Sequence, residues 1–372
     1  MMTGWKLFWY QVKCICRKEF LAIMKDKAFR RILVIPVIFT GILFGYAATF
    51  NVTYISYGVL DQSHSEASAS LLARLDGTGF FHRAATLQNA SQIAAIMDTE
   101  QAMMVLAIPQ DFTQRLERGE KARLQLITDG RNTMTASLAS AYTGRVVASW
   151  ASARTGQPLP VTLEPRTWFN PNQSTRWYFA PGIMGLMSFA QVILLSGMSV
   201  AREREEGTFE QLLVTPASPL VLLIGKAFPP VVVGLMQATI LLLIDLFWFR
   251  VPFAGSYPTL YLVLLVYFLS STGIGLSISS VCSSMQQVQV YTYVYLIPNA
   301  LLSGVATPVR NMPQFLQLLT YVDPLRFALD AMRRIYFEGA GLSTIAFDFV
   351  PMVIVAILTL ALAAHLFREN LS

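Results

Sequence analysis

Residues 201–219 read AREREEGTFEQLLVTPASP, from Ala201 to Pro219. Six charges fall between Arg202 and Glu210. Glu206-Gly207-Thr208 is followed by an apolar stripe, Phe209, Leu212 and Leu213, and Pro216 and Pro219 close the segment. On either side lie apolar runs long enough to cross a bilayer, Trp177–Val200 and Leu220–Phe249. A solvated connection between two spans needs charge but no apolar stripe. A stripe framed by acids is what a short helix needs to seat itself in a partner's groove. Composition alone leaves both readings open.

Four further runs lie outward from this segment: Ile32–Phe50, Tyr257–Val281, Val288–Ala306 and Ile345–Phe367. They bring the expected spans to six. The chain has 372 residues, 54% of them hydrophobic and only 13% charged, about half the charged share of a soluble domain. Disordered chains and ordinary cytosolic enzymes are excluded, and a polytopic membrane protein is expected.

The formal net charge is +6, and residues 1–31 alone carry eight Lys/Arg against Glu19 and Asp26. The basic character is therefore one N-terminal patch. It abuts an apolar run, so it reads as a cytoplasmic, positive-inside flank facing membrane lipid and not as a nucleic-acid surface. Within it, Trp5, Trp9, Val12, Cys16, Phe20 and Ile23 recur at helical steps. This predicts an amphipathic interfacial helix over residues 5–27.

Residues 52–176 are polar, with eleven Lys/Arg and ten Asp/Glu. Strands are expected at Val52–Leu60, Ala102–Ile108 and Leu124–Thr128, and helices at Glu66–Leu75, Gln110–Arg118 and Thr133–Ala153. The expected fold class is thus a mainly α membrane protein with an α/β domain between spans one and two. Its parts are the interfacial helix 1–31, the first span 32–51, the domain 52–176, and a bundle of spans two to six over 177–372. With the N-terminus inside, residues 52–176 and 307–344 lie outside, and 201–219 and the C-terminus lie inside. Cys14, Cys16 and Cys282 then share the reducing side. Two short helices after prolines, Pro313–Tyr321 and Pro324–Phe337, are too polar to span and are expected to dip into the outer leaflet.

No catalytic constellation stands out. Gly225-Lys226 lacks both the upstream glycine and the following Ser/Thr of a phosphate loop. His64, His82 and His365 are too few and too scattered for a site. No metal and no cofactor is expected in this chain. Asp245, in the third span, is an intramembrane acid and hence a functional candidate. An interfacial ion pair with Arg250 is its simpler expected role.

The run from Ala201 to Pro216 resembles the cytoplasmic signature of ABC-2 type exporter permeases. So does the later pattern of Ser303-Gly304, Pro308, Asn311-Met312-Pro313, Asp323-Pro324-Leu325-Arg326 and Glu338-Gly339. The resemblance covers nearly the whole chain and includes the large insertion between the first two spans. It implies the membrane subunit of a bacterial inner-membrane exporter. Residues 201–219 would be its coupling helix, docking in a cleft of a separate ABC ATPase subunit present in two copies.

The contact would fall on Glu203, Glu205, Glu206, Gly207, Thr208, Phe209, Glu210, Gln211 and Leu212, with Gly207 allowing close backbone approach. ATP and Mg would bind the partner, so this chain would not itself be an enzyme. The resemblance further implies a second permease protomer, the same chain or a homologous sister. The export path would follow their seam, with Gln191, Tyr291, Tyr295 and Asn299 as candidate lining residues for a hydrophobic or amphipathic substrate. Some permeases of this architecture resemble components working with a membrane-fusion adaptor and an outer-membrane channel.

The competing reading is a membrane-anchored sensor or assembly protein whose outer domain binds a ligand. An ion-driven carrier would need charges deep in the spans, and spans one, two, four, five and six carry none at mid-membrane.

Overall fold

The computed structural model describes residues 4–25, 27–47, 54–131, 133–155, 174–208, 218–305 and 307–369. Two compact units result: Thr49–Arg166, and Met1–Ala48 with Thr167–Ser372. The inserted domain expected at 52–176 thus corresponds to a unit that ends ten residues earlier.

The smaller unit holds β1 (Ile55–Asp61), α1 (Glu66–Asp76), β2 (Phe81–Thr86), α2 (Gln92–Asp98), β3 (Met104–Ile108), α3 (Phe112–Glu117), β4 (Gln125–Thr128) and α4 (Thr133–Thr155). The sheet order is β2-β1-β3-β4. β1 pairs in parallel with β2 and β3, and β4 closes the sheet antiparallel to β3. A mostly parallel sheet needs both faces covered. On one face Tyr57, Val59, Met104 and Leu106 pack with Leu71 and Leu75 of α1 and Trp150 of α4. On the other, Leu60, Leu87 and Val105 pack with Ile96 of α2. There a Cβ on Gly58 would lie 2.5 Å from the Cδ1 tip of Ile96, so the glycine makes room for that side chain. Tyr57 is buried and bonded to Asp76, and burial first, then that carboxylate, pushes its phenol up to about 12.

β2 and α2 have no counterpart in the sequence reading. β2 is an edge strand in which only Phe81 is buried, so no apolar alternation marks it. α2 has seven residues and one buried side chain, Ile96.

The larger unit is helical: α5 (Gly4–Lys25), α6 (Lys27–Ala47), α7 (Thr175–Glu205), α8 (Pro219–Leu243, continued by a π-turn Ile244–Trp248), α9 (Tyr257–Val281), α10 (Met285–Leu302), α11 (Gln314–Leu319), α12 (Pro324–Arg333, continued by a π-turn Arg334–Glu338) and α13 (Ala346–Glu369). Four helices are long and apolar enough to cross a membrane: Thr175–Glu205, Pro219–Trp248, Tyr257–Val281 and Ala346–Leu366. A shorter apolar stretch runs Leu33–Tyr46. Of the six expected spans, the first is therefore short among the described residues. The fifth, α10, is diluted by Gln286, Gln287, Gln289 and Asn299.

α9 is the centre of the bundle. Tyr267 stacks on Phe189 of α7 at 5.5 Å. Helices in lipid gain little from apolar surface alone, so close backbone approach and hydroxyl bonds do the joining. Ser279 donates to the Gly197 carbonyl of α7, Ser270 to Met352 O of α13 at 3.2 Å, and Thr359 of α13 to Ser270 O at 3.3 Å. At the α7–α9 crossing a Cβ on Gly275 would stand 1.9 Å from Ser196 Oγ and 2.5 Å from Ile193 O.

Pro36, Pro181, Pro229, Pro230, Pro298 and Pro351 all lie inside continuous helices. The two short helices after 307 form where expected. α12 starts on Asp323, whose side chain accepts from Leu325 N at 2.9 Å, with Pro324 in the first turn. Its apolar face is buried against α7, where Gly185 meets Met332 and Leu329.

Asp245 corrects an expectation. It is 7% exposed, no ion pair joins it to Arg250, and it faces the Tyr336 hydroxyl. Arg250 is exposed at φ 52° just past the π-turn, and that sharp reversal carries its side chain away from the helix.

Candidate functional site

α5 docks by its second half. Val12 and Ile23 are buried, whereas Trp5 and Trp9 at the start of the same stripe remain exposed. Ile15 fits over Gly225 of α8, where a Cβ would come within 2.6 Å, and Phe20 meets Phe228 edge-on at 6.3 Å. Cys16 Sγ donates to Gly225 O at 3.5 Å. Burial and Glu19 push the Cys16 thiol up, so it carries less thiolate than a free cysteine.

This docking brings four charged side chains together. Lys226 of α8 is 1% exposed. Its Nζ lies 2.9 Å from Glu19 Oε1 of α5 and 2.7 Å from Glu203 Oε2 of α7, and donates to Ser199 Oγ at 3.2 Å. Ser199 in turn donates to Glu19 Oε2 at 3.1 Å, and Lys18 pairs with the other oxygen of Glu203. A lysine buried in an apolar helix is tolerable only when carboxylates and hydrogen bonds replace its water. Here two come from different helices, so the ionic cluster ties α5, α7 and α8 at one point. A cavity of about 480 Å³ opens beside it, bounded by Arg202, Glu206, Thr208 and the Pro229-Pro230 step.

The charged residues that end α7 serve neighbouring helices in turn. Arg204 Nη1 donates to Ser280 O at 3.1 Å and Cys282 O at 3.0 Å, satisfying carbonyls at the end of α9. Glu205 Oε2 accepts from Met285 N, at 3.0 Å, where α10 begins. Removing this clamp by Arg204→Ala is expected to cost about 1.5–3 kcal/mol, the usual worth of a hydrogen bond to a charged group. It should also speed maleimide labelling of Cys282, which is fully buried in the intact protein. Unchanged labelling would mean that the carbonyls hold without Arg204.

α7 then stops on a Schellman motif. Gly207 has φ 69°, its N–H donates to Arg204 O at 3.2 Å, and Thr208 N donates to Glu203 O at 2.9 Å. No heavy atom lies within 4 Å of a Cβ built on Gly207, so in this chain glycine is required by its left-handed backbone. Glu206 and Gly207 are exposed and Thr208 half-exposed at this tip. Phe209, Glu210, Gln211, Leu212 and Leu213 lie outside the described residues. Ser218, the next described residue, caps α8 by accepting from Val221 N at 3.4 Å.

The expected coupling residues thus divide. Glu206, Gly207 and Thr208 sit together at the tip. Glu203 is 5% exposed and committed to two lysines, and Glu205 is committed to α10. Glu19 and Lys226 were not picked out from the sequence. The available signal was a lone lysine inside an apolar run.

The candidate path residues are less gathered. Tyr295 packs on Phe189 at 6.3 Å, and Asn299 Nδ2 donates to Tyr295 O at 2.6 Å. Tyr291, one turn before Tyr295 on α10, is 52% exposed, and Gln191 is half-buried on α7 with no hydrogen bond to the other three. Only Val288 and Thr292 of α10 are buried, while Val290, Val294, Ile297 and Leu301 are exposed.

Comparison with known proteins adds an independent line. The profile of the family described as ABC-2 family transporter protein matches residues 27–365. The chain is 36% identical over 359 residues to the probable multidrug ABC transporter permease YbhR of Escherichia coli, covering 96% of this chain and 98% of that protein. It is 28% identical over 341 residues to the probable multidrug ABC transporter permease YbhS, covering 90% of each. It is 27% identical over 290 residues to the inner membrane transport permease YhhJ, covering 76% of this chain and 77% of that protein. Both are also from Escherichia coli.

Proposed function

Because the chain belongs to the ABC-2 transporter family, whose members are membrane subunits of transporters, we propose that it is the permease of an ATP-driven exporter of the inner membrane. A separate ATPase subunit, in two copies with ATP and Mg, supplies the energy. Six helices span, counting α6 and α10 with the four apolar enough by themselves. Both termini and the α7–α8 connection are cytoplasmic, and the α/β unit is periplasmic. The cargo is a hydrophobic or amphipathic molecule, in keeping with the relatives named as multidrug permeases.

One observation carries this reading: the tip at Glu206-Gly207-Thr208 stands on a helix end held by the Lys226 cluster and the Arg204 clamp. A push delivered there would move α5, α7, α8 and the α9–α10 joint together, as a rigid-body switch requires. Glu206, Gly207, Thr208 and the stripe at Phe209, Leu212 and Leu213 form the ATPase contact, while Glu203 is a positioning residue. A second protomer, identical or sister, covers the outward face of α10. That face mixes the exposed Gln286, Gln289, Tyr291 and Tyr293 with Val290, Val294, Ile297 and Leu301, which suits the wall of a path for an amphipathic cargo.

The test is a detergent pull-down from the native host, with ATPase activity assayed on the eluate. Wild type is expected to bring an ATPase, and Glu206→Arg to lose it while eluting at the same volume in size exclusion. If wild type elutes without an ATPase under mild conditions, the exporter reading fails. A membrane-anchored sensor with a ligand-binding α/β unit is then the reading to pursue.

A further inference from the structure

At the end of α7 opposite Glu203, a second cavity of about 380 Å³ opens among α7, α10, α11 and α12. Arg310, Arg326 and Arg333 line it, together with Tyr178, Gln317 and two carboxylates, Asp330 and Asp348. Arg334 sits outside the lining and engages Asp348 at 3.3 Å and Glu338 at 3.5 Å. Among the described residues, none of the three lining arginines has a carboxylate within ion-pair distance.

Two of these guanidiniums are held by their faces. Arg326 lies over Tyr321 at 4.6 Å and Phe327 at 5.3 Å, and Arg333 over Tyr178 at 4.3 Å. Stacking holds the plane and leaves the N–H edge free to donate. Arg326 uses part of its edge on Thr320 and Gln317. Among the described residues, Arg333 donates only to Gly304 O, at 3.4 and 3.5 Å, and its buried Nε has no partner. Such a donor set suits an oxyanion with several acceptor oxygens.

The neighbouring helix supplies the other half of an amphiphile's site. On α11 and the turn that follows, Phe315, Leu318, Leu319 and Val322 recur at one-face spacing and are 64%, 69%, 57% and 70% exposed. α11 borders the cavity through Gln317, which donates to Met312 O and accepts from Arg326. An apolar face alone would fit any lipid chain, and an arginine pocket alone would fit free phosphate. Side by side they fit a molecule that carries both.

We propose that this cavity binds the phosphodiester headgroup of a membrane phospholipid, whose acyl chains lie along the exposed face of α11. The proposal rests on the chain being a membrane protein and not on its ATPase partner. The two readings therefore fail separately.

The experiment uses the purified full chain in detergent, titrated with phosphatidylglycerol and followed by native mass spectrometry and melting temperature. Dioleoylglycerol offers the same chains without phosphate, and inorganic phosphate offers the charge without chains. Phosphatidylglycerol is expected to be retained and to raise the melting temperature, and the other two to do neither. Arg310→Gln with Arg333→Gln should weaken phosphatidylglycerol binding about tenfold or more, the size of one or two lost charge-assisted hydrogen bonds. Arg310 is exposed, so Arg310→Gln alone keeps the fold and should still weaken binding, with Arg310→Lys restoring part. Equal retention by wild type and variants would overturn the proposal, as would equal retention of dioleoylglycerol. An arginine-dependent shift with inorganic phosphate alone would replace the lipid by a free anion.

Discussion

Lys226→Met is expected to lower the stability of the folded protein by about 3 kcal/mol, within the range for breaking a buried ion pair from one side. Methionine fills the same channel, so the loss is electrostatic. Among the described residues, Glu19 then keeps only the Ser199 hydroxyl, and Glu203 keeps only Lys18, whose side chain is 53% exposed. The melting temperature in detergent should fall and α5 should loosen from α8. Cys16, half-buried against Gly225, would then label with maleimide almost as fast as the exposed Cys14. Adding Glu19→Gln to Lys226→Met should return part of the lost stability, because one buried charge is removed with its partner. A single variant with wild-type melting, or a double variant worse than the single, would show that the cluster is solvated and not a structural tie.

The second large effect is at Gly275. A side chain there meets backbone, Ile193 O at 2.5 Å, as well as Ser196 Oγ at 1.9 Å, so no rotamer change makes room. α7 and α9 must separate, which forfeits the Ser279 bond to Gly197 and the stacking of Phe189 on Tyr267. Gly275→Ala is expected to cost about 3 kcal/mol, at the upper end of ordinary overpacking. Gly275→Leu should abolish the monodisperse size-exclusion peak. Gly182, on the same helix as Gly197, is the control. Its Cβ would meet nothing within 4 Å, and alanine should be neutral or favourable there. Normal melting of Gly275→Ala would mean that the two helices do not approach as closely as these distances state.

These two residues also mark where sequence reading stops. The apolar runs, the basic N-terminal flank and the helix start at Pro324 are local signals, and each matches a helix boundary to within a few residues. Strands β1 and β3 are equally legible, because both are short segments rich in β-forming residues and buried on both faces. The exposed edge strand β2 has no such pattern. In the site, the stretch 202–213 stands out in the sequence because six charges and an apolar stripe crowd it. Gly207 was singled out for close approach, whereas its visible work is to reverse the chain at φ 69°.

The family came from the resemblance carried by one long motif, whereas composition and periodicity were sufficient, by themselves, for a polytopic membrane protein with an inserted α/β unit. Those properties follow from the order of apolar and polar residues along the chain. Tertiary structure alone decided that Glu203 turns inward while Glu206 stays at the tip. It also decided that Lys226 finds Glu19, 207 positions away, and that Gly275 lies against Ile193 and Ser196. The reason is geometric. A helix offers every residue a direction set by its 100° steps, but which direction becomes interior depends on the neighbour that packs there.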